Sequence, residues 1–351
     1  MIKWLTIPDQ TKRNAYEQIA EKTGMSAFAV EKDWWVVQTL SIVFGMQAGP
    51  ALLFKGGTSL SKAWQLIQRF SEDIDLAIDR NFLGYPGNLS KNQRTNLRKA
   101  AGDYTSGPFL AELQHKFAEQ GMDYVGFHLL EVDNSDHDPR IIEIHYPNVI
   151  PPPGYLEPKV QIEIGCRSLR EPFSQQTFGS LIDEHYPDRD FAKPFIQIPV
   201  VNPERTFLEK IFLLHEEFQR PQEKIRVNRL SRHLYDVVKL SQTTFKDQAF
   251  ADIELYSTIV EHRHKYARVG GVNYNLHQPQ TINPIPRPDF IEAWRDDYNI
   301  MVERMIYEEN PPSFDEIISD LTTLKESINQ LPWQFPMHFP KPDSSFQTPH
   351  S

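Results

Sequence analysis

The chain has 351 residues, 40% hydrophobic and 24% charged, enough for one large or two ordinary packed domains and too apolar for a disordered chain. Its formal net charge of −10 excludes a protein that coats nucleic acid nonspecifically, because phosphate neutralisation dominates that affinity. Cys166 is the only cysteine, which excludes an intrachain disulfide and a cysteine-rich zinc site, and no apolar run approaches the roughly 20 residues that cross a bilayer, so a cytoplasmic protein with no membrane partner is expected.

The periodicity predicts a helix over residues 9–24 that ends at Gly24, then a second helix capped by Ser26 in which Trp34, Val37, Leu40 and Val43 face a core. Glu31, Lys32 and Asp33 are expected to open that second helix toward solvent or toward a site. The run Ala51-Leu52-Leu53-Phe54 is short and bounded by turns, so it reads as a buried strand running into Gly56-Gly57. Thr58 and Ser59 then cap a helix in which Leu60, Ala63, Trp64 and Ile67 recur at helical spacing through Gln68. Its first amides and positive dipole end follow the glycines directly, and such an end attracts phosphate.

At residues 73–79 the period becomes two. Asp73, Asp75, Ala77 and Asp79 fall on one side of an extended strand, and Ile74, Leu76 and Ile78 on the other. The alpha carbons of Asp73 and Asp75 then lie about 6.6 Å apart, a span over which two carboxylates share one hard cation such as Mg2+ or Mn2+. The plain alternative is a pair of aspartates on the solvent side of an edge strand. The order of strand, Gly-Gly-Thr turn, helix and D-I-D strand fits a polymerase-beta-like nucleotidyltransferase domain.

Residues 81–107 read as a loop and helix, followed by a helix over 108–119 and strands near 124–132, 140–146 and 159–165 that complete a mixed sheet. Five prolines between 147 and 158 stiffen the approach to the last of these. In Val160-Gln161-Ile162-Glu163-Ile164, Glu163 projects away from the core and is the favoured third metal-holding and proton-accepting carboxylate; Glu143 on the neighbouring strand is its rival. After a strand over 195–201, Asn202 and Pro203 cap and start a helix to about residue 219, which marks the domain boundary. Lys210 lies beside the apolar side of this helix, where it either neutralises triphosphate charge or snorkels to solvent.

The next helix, near 229–240, carries Arg229, Arg232, His233 and Asp236. Arg232 and Asp236 are spaced for a simple intrahelical ion pair, and His233 reads as a satisfied core histidine. Basic runs over 220–232 and 262–268 are candidate polyanion contacts or solvated faces. The expected organisation is therefore α+β: a nucleotidyltransferase domain over 1–201, a mostly helical domain over 202–331, and a proline-rich tail over 332–351 that is extended or flexible.

Several ordered blocks resemble the AbiEii-type nucleotidyltransferase toxins of type IV toxin-antitoxin and phage abortive-infection systems. They are VEKDWWV at 30–36, FKGGTSLSK at 54–62, RFSEDIDL at 69–76, VQIEIGCRS at 160–168, PERTFLEKIFLLH at 203–215, SRHLYDVVKL at 231–240, EAWRDDYNIM at 292–301 and PPSFDEII at 311–318. The resemblance implies metal-binding aspartates at Asp73 and Asp75, and a phosphate turn at Gly56, Gly57, Thr58 and Lys62. It also implies a K-x-x-x-L element at Lys210 and Leu214 and a final acidic motif at Asp236. GTP binding and transfer of nucleotides to the acceptor end of tRNA are activities the family implies.

The resulting expectation is transfer of a nucleoside monophosphate from a nucleoside triphosphate, GTP and CTP not being distinguished, to an RNA 3' hydroxyl, most plainly of tRNA, blocking translation. Asp73, Asp75 and Glu163 hold the metal; Gly56, Gly57, Thr58, Ser59 and Lys62 position phosphate; Lys210, with Arg229 or Arg232, balances the leaving pyrophosphate. The alternatives are nucleotidylation of a protein or a small hydroxyl compound, and a catalytically silent nucleotide-binding module. The antitoxin is expected to be a separate protein, with direct contact left open.

Overall fold

Helix α1 (Asp9–Thr23) ends where Gly24 turns left-handed and its N–H reaches Ala20 O. Ser26 Oγ then accepts from Ala29 N and starts α2 (Ala27–Phe44), which is apolar almost all round and so is buried almost all round. That burial changes the part played by its charged opening. Glu31 and Lys32 are 1% and 2% exposed: Glu31 accepts from Val149 N and Ile150 N, and Lys32 donates to Glu157 O. These side chains satisfy backbone groups of the proline-rich loop inside the fold, rather than facing solvent.

The computed structural model describes residues 2–71, 73–135, 137–153, 157–167 and 172–341. The chain divides into two compact units, Met1–Val201 with Tyr307–Glu309, and Asn202–Ile306 with Asn310–Ser351.

In the first unit, β1 (Leu52–Lys55) runs into the short helical turn α3 (Gly56–Thr58) and a wide π-type turn over Ser59–Ala63. The helix expected through Gln68 stops here. Gln65 adopts φ +53°, Leu66 N returns to Leu60 O, and the Trp64 indole donates to Val201 O, so a tertiary anchor overrides the helical spacing. Next come β2 (Asp73–Ile78), α4 (Lys91–Tyr104) and α5 (Leu110–Glu119), the two helices joined by a second π-type turn. The unit closes with β3 (Gly126–Leu129), β4 (Arg140–His145), β5 (Lys159–Gly165), β6 (Phe173–Phe178), α6 (Leu181–His185) and β7 (Ile196–Val201).

Among the described residues, the seven strands form one mixed sheet in the order β3-β4-β5-β2-β1-β7-β6. β2 is parallel to β5 and antiparallel to β1, while β1 is parallel to β7. The fold class is α+β. Strand β6, which pairs antiparallel with β7, is absent from the sequence expectation because its segment Phe-Ser-Gln-Gln-Thr-Phe has little apolar alternation.

One face of the sheet carries Phe54, Ile74, Leu76, Ile142, Ile144, Val160, Ile162, Ile164 and Val200, which join Trp34, Val37 and Leu40 of α2 in a single core. Because strand side chains alternate, the other face holds the intervening residues: His128, Glu143, His145, Lys159, Gln161, Glu163, Asp73, Asp75 and Lys55.

The second unit is helical: α7 (Pro203–Phe218), α8 (Ser231–Ser241), α9 (Thr244–Ala251), α10 (Ile253–Tyr266), α11 (Ile291–Met305) and α12 (Phe314–Asn329). Pro203 takes the first helical position of α7 as expected, but Asn202 makes no side-chain cap; its amide donates to Glu204. Phe212 meets Tyr256 edge-on, and Phe218 meets Trp294 in the same way. Residues 332–341 form neither helix nor strand, yet they are held in place. Trp333 packs on Tyr256, Phe335 is buried, and the Gln278 and Asn275 side chains bond the backbone of Phe335 and Phe339. Residues 342–351 of the expected tail lie outside the described residues.

Candidate active site

The strand register puts the acidic residues side by side. Asp75 of β2 stands opposite Glu163 of β5 on one flank and Lys55 of β1 on the other, and Asp73 is one row away on the same face. Gln161 Nε2 donates to Glu163 Oε1 at 2.9 Å. Burial and then the negative charges of Asp75 and Asp73 push the Glu163 carboxyl up to about 7, against the hydrogen bond from Gln161 and the charge of Lys55. Glu163 therefore senses both aspartates.

Glu143 has a different environment. It lies two strands from Asp73, across Gln161, and its Oε1 is 2.6 Å from Lys159 Nζ while its Oε2 is 3.0 Å from His145 Nε2. Partial burial opposes its ionisation, but those hydrogen bonds outweigh it and hold the carboxyl below the usual range. Of the two rivals, Glu163 is the one beside the aspartates.

The glycine turn is built against the same acids. Gly56 has φ +81°, and a Cβ there would fall 2.7 Å from Asp75 Cγ and closer still to its Oδ2. Glycine is thus required twice, for the left-handed backbone and for the space the Asp75 carboxylate fills. Thr58 Oγ1 donates to Asp73 O at 2.6 Å and lies 3.0 Å from Ser71 Oγ, so this hydroxyl ties the turn to the first residue of β2. Ser59 Oγ turns back to Gly56 O. A Cβ on Gly57 would stand 2.6 Å from Arg69 Nη2 and 2.8 Å from Ser71 Oγ, so this glycine admits a buried guanidinium beside the turn. Arg69 and Ser71 were not singled out in the sequence; their closeness to Gly57 is a tertiary fact.

A cleft of about 300 Å3 opens next to the turn, with Thr58, Ser61, Lys62, Arg69 and Ser71 among its walls. The three acids are not among its lining residues, although Thr58, which lines it, bonds Asp73 O. Lys62 Nζ lies 3.0 Å from Asp33 and 3.2 Å from Glu184, and Leu181 N also donates to Asp33. Burial alone would lower the Lys62 ammonium's pKa; the two carboxylates outweigh that effect and raise it. Its charge is largely spent within the fold.

Compared with protein-family models, the chain matches the nucleotidyl transferase AbiEii toxin of type IV toxin-antitoxin systems over residues 45–320. The chain belongs to the AbiEii nucleotidyltransferase toxin family. No curated protein sequence matches it. Among solved structures, it is similar to the nucleotidyltransferase toxin MenT4 from Mycobacterium tuberculosis, at 15% identity and a TM-score of 0.43 over 92% of this chain and 99% of that one. It is also similar to JHP933 from Helicobacter pylori, at 12% identity and a TM-score of 0.41 over 85% and 90%.

The other sequence-predicted site residues belong to the second unit. Lys210 Nζ lies 2.9 Å from Asp236 Oδ2, with both side chains buried. His233 Nδ1 is 3.3 Å from the same ammonium, so this half-buried histidine has a polar partner. Arg229 precedes α8 in a turn with φ +60°; its N–H and that of Ser231 are capped by Asp297 of α11. Arg232 lies on the first turn of α8 and is half-buried. The two basic runs supply internal pairs: Arg220 and Arg226 with Glu217, and Arg263 with the buried Glu216.

The candidate donors of the first unit are all carboxylate oxygens on adjacent register positions of β2 and β5, the ligand chemistry of a hard divalent ion. No helix of the described chain is long and apolar enough to cross a membrane.

Proposed function

We propose that the protein transfers a nucleoside monophosphate from a nucleoside triphosphate to an RNA 3' hydroxyl, most plainly that of tRNA, and so blocks translation. The observation that carries this reading is the meeting of Asp73, Asp75 and Glu163 at the foot of a turn whose Gly56 is shaped around the Asp75 carboxylate.

In this reading Asp73, Asp75 and Glu163 would hold Mg2+ or Mn2+, which when bound supplies positive charge to the triphosphate oxygens and to the attacking hydroxyl. Glu163 Oε1 is engaged by Gln161, which leaves Oε2 as the oxygen able to accept the hydroxyl proton. The Gly56-Gly57 turn is assigned the positioning of phosphate through its backbone amides, with the Arg69 guanidinium and Ser71 hydroxyl beside Gly57. With only two turns of helix behind it, the dipole contributes less than the amides themselves. Lys210 is assigned charge neutralisation on pyrophosphate from its match to the family's K-x-x-x-L element, although its ammonium is already paired with Asp236. Lys62, committed to Asp33 and Glu184, is assigned the support of the turn.

The test is incubation of the purified protein with each radiolabelled triphosphate, Mg2+, total RNA and cell protein, followed by separation of the polymers. Label on RNA of tRNA size, lost with Asp73→Ala and Asp75→Ala, is the expected result. Label on protein, or none, would overturn the assignment of an RNA acceptor.

A further inference from the structure

The sheet face that bears the acids carries a second cluster of donors that the reaction above does not use. His128 of β3 stands directly opposite Glu143 of β4, and His145 lies two residues along β4 on the same side. Glu143 Oε2 is 3.0 Å from His145 Nε2 and 3.7 Å from His128 Nδ1, and one donor atom from each of the three residues falls within 4.8 Å of the others.

We propose that His128, Glu143 and His145 form a binding site for a borderline transition-metal dication, for which Zn2+ is the probe, separate from the acids at the glycine turn. An ion bonded to two donors at about 2.0–2.2 Å in tetrahedral geometry holds those donors roughly 3.3–3.5 Å apart. The spacings of 3.0 Å and 3.7 Å bracket that value, and both imidazoles, 63% and 47% exposed, have room to rotate onto the ion. Glu143 Oε1 is meanwhile held by Lys159 at 2.6 Å, an outer hydrogen bond of the kind that orients a ligating carboxylate.

Two imidazoles and one carboxylate select Zn2+, Co2+, Ni2+ or Cu2+ over Mg2+, whereas the all-carboxylate set of Asp73, Asp75 and Glu163 selects the hard ions. The two sites share the sheet face and differ in chemistry. A three-ligand ion here would also clamp β3, a four-residue strand at the sheet edge, onto β4 through side chains.

The experiment is Zn2+ titration of the EDTA-treated full-length protein by calorimetry, in excess Mg2+ to saturate the hard-ion site. Metal content is then measured after dialysis. One Zn2+ per chain is expected, with affinity weakened at least about tenfold in His128→Ala and in His145→Ala and unchanged in Asp73→Asn. Binding should raise the melting temperature of the wild type and leave that of His128→Ala/His145→Ala unmoved. Both histidines are exposed, so these variants fold, and circular dichroism checks it. Absence of Zn2+ binding under Mg2+, binding undiminished by the histidine variants, or binding abolished by Asp73→Asn would each overturn the proposal.

Discussion

The Asp75 carboxylate occupies the space that a side chain at residue 56 would need, 2.7 Å from the Cβ position of Gly56 to Asp75 Cγ. Gly56→Ala must therefore move the carboxylate as well as strain a backbone at φ +81°. Gly84 separates the two effects: its φ is +82°, and a Cβ there meets nothing within 4 Å. Both alanine variants are expected to lose about 1–2 kcal/mol of stability from the left-handed conformation. Only Gly56→Ala should also lose nucleotide transfer, by about 100-fold or more, since displacement of a reacting group by about 1 Å has that effect. Paired denaturant melts and initial rates on the two variants check this.

Glu163→Gln should reduce the transfer rate by about 100-fold to 10,000-fold with a smaller change in KM, whereas Glu143→Gln should leave the rate essentially unchanged. The same glutamine predicts a stability gain when divalent ions are removed. The Glu163 carboxyl is raised to about 7 in the folded chain, so the unfolded chain releases its proton first, near the ordinary carboxylate range. Folded-state stability thus falls as pH rises through that window to 7. At pH 8 in EDTA, Glu163→Gln should be more stable than the wild type by an amount of order 1–3 kcal/mol, and the gap should close toward pH 4.5. Melting curves across that pH range would show the sign directly.

What the sequence made legible was local pattern. Period two in residues 73–79 and 160–164 gave both acidic strands and the side their acids share, because alternation needs no knowledge of the partner strand. What it hid was pairing at a distance. The choice between Glu163 and Glu143 rests on the register of β2 against β5, and Lys62 finds its carboxylates 29 and 122 residues away. The helix drawn through Gln68 followed a real apolar spacing, but Trp64 is anchored at Val201, 137 residues on. Glu31 and Lys32, read as facing solvent or a site, are buried because the loop they bond returns more than 100 positions later.

Residues 332–341 give a prediction of the same origin. A proline-rich segment read alone is extended and free, yet Phe335 is 2% exposed beside Tyr256. Phe335→Ala should cost about 3–5 kcal/mol, as for other fully buried aromatic truncations. His338→Ala, at an exposed position in the same stretch, should cost less than about 0.5 kcal/mol. Urea unfolding followed by tryptophan fluorescence, with Trp333 and Trp294 as reporters in the second unit, distinguishes the two.

Lys210 and Asp236 pose the question of whether a motif lysine serves the chemistry or only the fold. Their ammonium and carboxylate are 2.9 Å apart in a buried setting, so Lys210→Met alone takes this cation from a buried carboxylate and should cost about 3–5 kcal/mol. Activity lost in that variant would say nothing about catalysis. Replacing both, Lys210→Met with Asp236→Leu, removes the carboxylate along with its cation and should restore most of the stability, as hydrophobic replacement of buried ion pairs does. If Lys210 neutralises phosphate charge, the double variant remains inactive while melting near the wild type, and nucleotide no longer stabilises it. Recovery of transfer together with stability would instead assign the pair to the packing of α7 against α8.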